Sequence, residues 1–182
     1  KIIPTDHNIY SGLPLGTEML YGLGLALGGE AVAKLLPWTL SLVILCLITK
    51  WVKRIAGLDA GIFAAVLFYS APMVGVQTWH SLVEMFWCFF GLLSILTLLG
   101  IDEQNPLTPT RAALAGVFAG LALGTKYNAG GIFVMALAIL VRQMATNPRN
   151  TWGHYLRCVA ILSGAAFATF SPWIVKNLIL YG

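Results

Sequence analysis

Charged side chains are scarce in this sequence. Only 10% of its 182 residues are Asp, Glu, Lys or Arg, whereas soluble domains carry about 25%. Hydrophobic residues make up 58% of the chain, and its mean hydropathy is +0.81. A packed core does not need so much apolar surface, so the excess is expected to face lipid. The apolar residues come in runs and do not alternate with polar ones, which argues against a transmembrane β-barrel.

The sequence also has few cysteines and no motif of a soluble enzyme. Cys46, Cys88 and Cys158 stand in apolar runs without CxxC spacing, so we interpret them as packing residues. No P-loop, GxSxG or HExxH motif occurs. The net charge is +4, but the cations are scattered at the ends of apolar segments. We therefore predict no nucleic-acid partner.

Long apolar runs with short polar connections predict an all-α fold: a polytopic transmembrane helical bundle with short broken helices. Residues 1–16 are turn-rich and predict an extracytoplasmic loop. A helix over residues 17–27 would rise about 16 Å, too little for a hydrocarbon core of about 30 Å. We predict that it lies in the membrane interface or packs as a half-helix, and that it ends at Gly28 and Gly29. The predicted spans of this single transmembrane domain are about 31–49, 58–74, 80–100, 111–124, 127–142 and 155–175.

The distribution of cations predicts an orientation in the membrane. With residues 1–16 outside, seven cations fall on the cytoplasmic side and four on the other, as the positive-inside rule favours. The cytoplasmic set is Lys50, Lys53, Arg54, Arg111, Arg142, Arg149 and Arg157, and the outer set is Lys1, Lys34, Lys126 and Lys176. Side chains suited to chemistry then gather at the outer ends of the helices.

The stretch GLALGTKYNAGG places a lysine where two short apolar segments join. As helices, these segments would reach about 21 and 24 Å, so we expect their shared tip to stop below the outer surface. A charge at that depth costs at least about 2.5–3.5 kcal/mol unless it faces water or a partner. Lys126, with Tyr127 and Asn128, is therefore predicted to line an anion-accepting pocket. The alternative is that Lys126 snorkels to headgroups and Tyr127 is an interface anchor.

His80 and Glu84 stand four residues apart at the start of the predicted helix 80–100, so we expect them on one helix face. They could form a proton relay, a metal half-site, a substrate-binding pair or a structural contact. A metal needs more than two ligands, which Asp6 and His7 would supply only if their loop folds over. No cofactor is predicted, and a divalent metal stays an alternative.

Glycines recur at every fourth position before Lys126. Gly116, Gly120 and Gly124 have the small-xxx-small spacing of closely packed membrane helices. This spacing predicts a contact between helices and not a nucleotide site.

Three stretches, in this order, resemble the GT-C membrane glycosyltransferases, in particular the bacterial group related to protein O-mannosyltransferases and the lipid A aminoarabinose transferase. HNIYSGLPLGTEMLYGLGLALGGEAVAKLL resembles the end of that family's first outer loop and the helix after it. GLALGTKYNAGG resembles its glycine-rich hairpin with a Thr-Lys pair, and SPWIVKNLILYG resembles its PWxxxN segment.

The resemblance implies a multi-pass enzyme of the bacterial inner (plasma) membrane. It would move a sugar from a polyprenyl-phosphate-linked donor in the bilayer to an unidentified acceptor on the extracytoplasmic face. It implies that Lys126 lies near the donor phosphate and that Glu84 occupies the place of an acid that is usually Asp. The predicted substrate-binding residues are Lys126, Tyr127, Asn128, Glu84, His80 and His7.

The resemblance also implies that the general-base acid lies upstream of Lys1. We therefore expect no catalytic residue within the chain, and no activity from this piece alone. The absence of an initiator Met and the apolar run at the end suggest an internal piece of a longer chain.

Two other functions stay open from the sequence. A transporter or flippase for a lipid-linked or anionic substrate would use broken helices and a buried lysine for alternating access. It would also need paired breaks in an inverted repeat, and the sequence has one clear break. A non-catalytic assembly protein is the third alternative.

Overall fold

The structure is a computed structural model, and it describes residues 12–80, 82–99, 107–146 and 152–181. These residues form helices and no strand, so the predicted all-α fold is confirmed for them. The α-helices are α1 (Gly16–Ala56), α2 (Leu58–Ser70), α3 (Pro72–Trp79), α4 (Glu84–Leu99), α5 (Pro109–Leu123), α6 (Gly130–Thr146) and α7 (Trp152–Tyr181), and a 3₁₀ helix spans Tyr127–Ala129.

Several of these helices are long and apolar enough to cross a membrane. Within the described ranges there are three, which are Gly16–Ala56, Tyr127–Ala145 and Trp152–Leu180. The number becomes four if α2 and α3, which meet at a bend of 69°, count as one span. α4 and α5 are apolar but shorter. These lengths and compositions indicate an integral membrane protein.

α1 is interrupted at Gly28 and Gly29, where the sequence predicted that a helix ends. Gly29 has φ 70° and ψ −161°, a conformation that is essentially restricted to glycine. A Cβ on Gly24 would lie 3.2 Å from the Cα of Ala33, although an unbroken helix would separate these residues by about 13.5 Å. The chain therefore reverses at the two glycines. Whether residues 17–27 lie in the membrane interface stays a prediction.

The structure has two helices where the sequence predicted one apolar span over residues 58–74. α2 ends at Ser70, Ala71 is extended (φ −65°, ψ 121°), and Pro72 begins α3. A proline disfavours helical backbone in the residue before it, yet fits the first turn of a new helix. Pro72 therefore accounts for the break.

The chain divides into two compact units. Unit 1 comprises Lys1–Gly16 and Leu93–Gly182, and unit 2 comprises Thr17–Leu92. In unit 2, α2 packs on α1 at Gly61, where a Cβ would lie 2.6 Å from the carbonyl oxygen of Thr49. Tyr21 donates a hydrogen bond to the Leu82 carbonyl (2.9 Å) and contacts the Phe86 ring edge to face.

In unit 1, α5 and α7 pack through the glycine stripe, as the sequence predicted. A Cβ on Gly120 would lie 2.5 Å from the carbonyl oxygen of Ala166, and one on Gly124 would lie 2.7 Å from Nε1 of Trp173. Residue numbers rise together along this contact, so α5 and α7 run parallel. The turn after Gly124 sends α6 back antiparallel to both.

A hydrophobic core lies where α5 and α7 begin and α6 ends. Its buried members include Leu98, Ala112, Leu140, Cys158 and Leu162. Cys158 is fully buried there, in agreement with its interpretation as a packing residue, whereas Cys46 is exposed. Gln143 donates to the Leu98 carbonyl (2.7 Å), and Tyr155 donates to the Gln143 carbonyl (3.0 Å). These bonds fix the end of unit 1 that is opposite Lys126.

Candidate functional site

Lys126 lies in the turn between α5 and α6. Its backbone N–H donates to the Ala122 carbonyl (3.2 Å), and its carbonyl accepts from the Ala129 N–H (3.0 Å). Its own backbone is extended (φ −158°, ψ 135°). Lys126 is partly buried, whereas Tyr127 and Asn128 are exposed. The three residues predicted from the sequence therefore occupy one turn at the end of two apolar helices.

Residues 12–16, which we call the strap, are bonded to this turn. The Tyr127 hydroxyl donates to the Gly12 carbonyl (3.1 Å), and the Gly16 N–H donates to the Gly124 carbonyl (3.0 Å). Pro14 is fully buried. The strap therefore contacts the chain on both sides of Lys126.

Side chains of α7 also bind the strap. The Lys176 ammonium donates to the Leu13 carbonyl (2.8 Å). Asn177 Nδ2 donates to the Gly12 carbonyl (2.8 Å) and to the Tyr127 hydroxyl (3.2 Å). Lys176 also lies 5.8 Å from the centroid of the Trp173 ring, which is within the range of a cation–π contact.

The chemistry of Lys176 and Asn177 was not predicted from the sequence. Both stand in SPWIVKNLILYG, and that stretch is also typical of an aromatic and cationic membrane belt. Lys176 is 163 residues from Leu13 in sequence, and Asn177 is 165 residues from Gly12. Only the fold brings them to the turn that contains Lys126. We use the name "Lys126 end" for the strap, the turn and Trp173, Lys176 and Asn177.

The two ends of unit 1 carry different charged groups. Lys126 and Lys176 stand at the Lys126 end, while Arg111, Arg142 and Arg157 stand at the other, near the start of α5, the end of α6 and the start of α7. The described residues of unit 1 contain no Asp or Glu. This separation matches the predicted partition of these five cations between the two sides of a membrane.

His80 and Glu84 do not share a helix face, so that prediction is wrong. His80 is exposed and follows the last residue of α3, where its N–H donates to the Val76 carbonyl (3.1 Å). Glu84 is partly buried and is the first residue of α4. The helix breaks between them, because α3 ends at Trp79. Their proposed part in substrate binding stays a prediction.

The remaining predicted groups divide between the units. Lys126, Tyr127 and Asn128 belong to unit 1, and His80 and Glu84 belong to unit 2. His7 lies outside the described residues. In the part of the chain that the structure describes, no three His, Cys, Asp or Glu side chains cluster as a metal site would require.

Unit 2 has an open, mainly apolar groove of about 520 Å³. Its lining residues are Ala31, Lys34, Leu35, Trp38, Thr78 and Trp79. The exposed Lys34 forms an ion pair with Glu30 (2.6 Å) one helical turn away. Such a surface pair adds little stability, and the groove presents chiefly two indole rings.

The Lys126 end carries two ammonium groups, those of Lys126 and Lys176. Ammonium groups bind phosphate through charge-assisted hydrogen bonds. Apolar side chains are exposed directly beside them on α7, where Leu178 is 65% and Ile179 is 77% exposed. The arrangement therefore suits a ligand with a charged head and an apolar tail. Comparison with protein-family models, curated proteins and solved structures found no match to this chain.

Proposed function

We propose that the chain is part of a bacterial inner-membrane glycosyltransferase that uses a polyprenyl-phosphate-linked sugar. The observation that carries the proposal is the Lys126 end, where Lys126 and Lys176 lie at one end of a bundle of apolar helices. A polyprenyl phosphate combines an anionic head with a long apolar tail. The exposed apolar side chains of α7 beside Lys176 suit the tail. The sequence resemblance to GT-C enzymes supplies the reaction class.

In the proposed reaction, an acceptor hydroxyl attacks the anomeric carbon of the donor sugar. A bond forms between the acceptor oxygen and that carbon, and the bond from the carbon to the phosphate oxygen breaks. The phosphate leaves with the bonding electrons, while a carboxylate upstream of Lys1 takes the acceptor's proton. Lys126 stabilises the charge that develops on the departing phosphate, an effect that is strongest where the dielectric constant is low.

Purified full-length protein in lipid nanodiscs tests this proposal. We expect it to release polyprenyl phosphate from a sugar-charged polyprenyl phosphate and to transfer the sugar to an acceptor in extracts of the outer membrane layer. A matched control uses the same lipid with a non-hydrolysable phosphonate in place of the sugar phosphate ester. Absence of released polyprenyl phosphate at all acceptor concentrations would contradict the proposal.

The broken helices favour a second candidate, a transporter or flippase of the same lipid. Transporters place helix breaks around substrate sites near the membrane midplane, and the chain has breaks at Gly28–Gly29 and at Ala71. Proteoliposomes distinguish the two functions. A flippase moves the intact sugar-charged lipid between leaflets and releases no polyprenyl phosphate, whereas a transferase cleaves it.

A further inference from the structure

We infer that Lys176 and Asn177 are positioning residues that hold Lys126 in place through the strap. The inference rests on the proposed function for the ligand, a phosphate, and on the contacts of unit 1 for the mechanism. Three sets of contacts lead to it.

The first set joins the strap to the turn. Gly16 donates to the carbonyl of Gly124, two residues before Lys126, and Gly12 accepts from the hydroxyl of Tyr127, one residue after it. Because the bonds bracket Lys126 in sequence, the strap limits how far the lysine backbone can move. Lys126 itself is extended and lies between α5 and the 3₁₀ helix. Its backbone is bonded to the Ala122 carbonyl and to the Ala129 N–H, and the strap adds constraints at the residues on either side of it.

The second set joins the strap to α7. The Gly12 carbonyl accepts two hydrogen bonds, from Tyr127 and Asn177, and the Leu13 carbonyl accepts one from Lys176. Asn177 uses Nδ2 for both the strap and the Tyr127 hydroxyl. The side chains of α7 therefore connect to the turn both directly and through the strap.

The third set is steric. A Cβ on Gly16 would lie 2.6 Å from the Gly124 carbonyl oxygen, so the strap approaches the turn as closely as glycine allows. A Cβ on Gly124 would lie 2.7 Å from Trp173 Nε1, and one on Gly16 would lie 3.7 Å from the same indole ring. Gly124 is thus packed against both the strap and α7, and release of the strap would remove one of these two contacts.

Two observables test the inference in the full-length protein without any lipid substrate. Hydrogen exchange of peptides that contain Gly16 reports whether the strap is docked, because that amide is bonded to Gly124. The second observable is the rate at which an amine-specific acylating reagent modifies Lys126, measured by mass spectrometry. This rate reports the accessibility and environment of the Lys126 ammonium group. The variants are Lys176→Met, which keeps the stem and removes the charge, and Asn177→Asp, which keeps the size and removes both donors.

We expect both variants to raise exchange at Gly16 by at least about fivefold, because Lys176→Met removes a hydrogen bond from a charged donor and Asn177→Asp removes two neutral ones. Because the strap is bonded on either side of Lys126, we expect its loss to change the rate of Lys126 acylation by about threefold or more. Lys176→Arg, which keeps a charged donor, restores wild-type values of both. Leu178→Met, at an exposed position of α7, is the matched control and leaves both unchanged. If either variant is poorly folded by circular dichroism, Tyr127→Phe removes only the hydroxyl and gives the same readout.

Unchanged exchange in the folded variants overturns the inference. Raised exchange with an unchanged rate at Lys126 also overturns it, because the strap would then not position the lysine. Binding of polyprenyl phosphate in nanodiscs is measured in parallel. Failure of the wild-type protein to bind it would contradict the proposed function, while the exchange and modification rates would still decide the inference.

Discussion

Lys176 and Asn177 show how strongly single side chains can determine the local structure of the Lys126 end. A hydrogen bond from a charged donor contributes about 1.5–3 kcal/mol, and a neutral one about 0.5–1.5 kcal/mol. Lys176 makes a hydrogen bond from a charged donor to Leu13, and Asn177 makes two hydrogen bonds from a neutral donor. Asn177 Oδ1 is buried and has no hydrogen-bond partner among the described residues. The amide orientation is nevertheless fixed, because Nδ2 faces two oxygen acceptors.

The place of Lys126 between two apolar helices was predictable from the sequence, whereas the contacts of Lys176 and Asn177 were not. A lone cation between two apolar runs stands out along the chain, since the cost of burying it demands an explanation. The structural role of Asn177 depends on its hydrogen bonds to Gly12 and Tyr127, and Tyr127 is 50 residues away in sequence. The parallel packing of α5 and α7 makes that contact, and no local pattern contains it.

Glu84 provides a prediction at the residue scale. By resemblance it occupies the place of a family acid, and the structure makes it a partly buried residue that begins α4. Glu18 is the matched control, because it is an exposed acid in the first turn of α1. In the proposed sugar transfer by the full-length protein, we expect Glu84→Gln to lower kcat/KM by about tenfold or more and Glu18→Gln to change it by less than about twofold. Equal effects would remove the special role of position 84.

The helices of this chain are interrupted where particular residues forbid regular helix. The reversal in α1 was predictable, because consecutive glycines weaken a helix and permit positive φ. The break before Pro72 and the start of α4 at Glu84 were missed. The apolar run continues across Ser70 to Pro72, so hydropathy alone gave no sign of the first break. The stretch QTWHSLVE, which leads into α4, is polar, and it was wrongly assigned in part to the start of a helix.

Gly29→Ala tests the reversal in α1. At φ 70° and ψ −161°, a Cβ is strained whatever space surrounds it, and we expect a loss of about 1–3 kcal/mol in the free energy of unfolding. Gly22→Ala is the control, since nothing lies within 4 Å of its Cβ position, and alanine there gains up to about 1 kcal/mol of helix propensity. Titration from mild detergent into SDS measures both. A Gly29→Ala protein as stable as wild type would contradict this backbone conformation.

Gly120→Ala tests the packing of α5 on α7. The added methyl would meet the Ala166 carbonyl oxygen at 2.5 Å, so we expect a loss of about 1–3 kcal/mol. Gly164→Ala, on α7 but with nothing within 4 Å, should be neutral or slightly stabilising. The same SDS titration compares them. If the two substitutions have equal effects, the close contact of α5 with α7 is wrong.

The charge distribution of unit 1 connects the fold to the membrane. Among its described residues, five cations separate into two ammonium groups at the Lys126 end and three guanidinium groups at the other. The positive-inside rule assigns the end with more cations to the cytoplasm, so we predict that the Lys126 end is outside. The helices fix which residues share an end, whereas the side of the membrane follows from the charge count.

Thiol labelling of single-cysteine variants tests this orientation. The full-length protein would carry Asn128→Cys, at an exposed position of the Lys126 end, or Trp152→Cys, at the exposed start of α7. Both variants are built without the native cysteines. We expect a membrane-impermeant maleimide to label position 128 in intact spheroplasts and position 152 only after permeabilisation. The reverse pattern would place Lys126 in the cytoplasm and exclude the proposed site.

The most direct measurement compares Lys126→Met with Lys126→Arg in the full-length protein, using turnover of the proposed donor, a sugar-charged polyprenyl phosphate. Removal of one preorganised charged donor costs about 10²–10³ in rate, so we predict a loss of at least about 100-fold in kcat for Met. We expect Arg to keep a substantial part of the activity, and both proteins to keep the wild-type thermal midpoint. Turnover by Lys126→Met within about twofold of wild type would show that this lysine does not stabilise the phosphate.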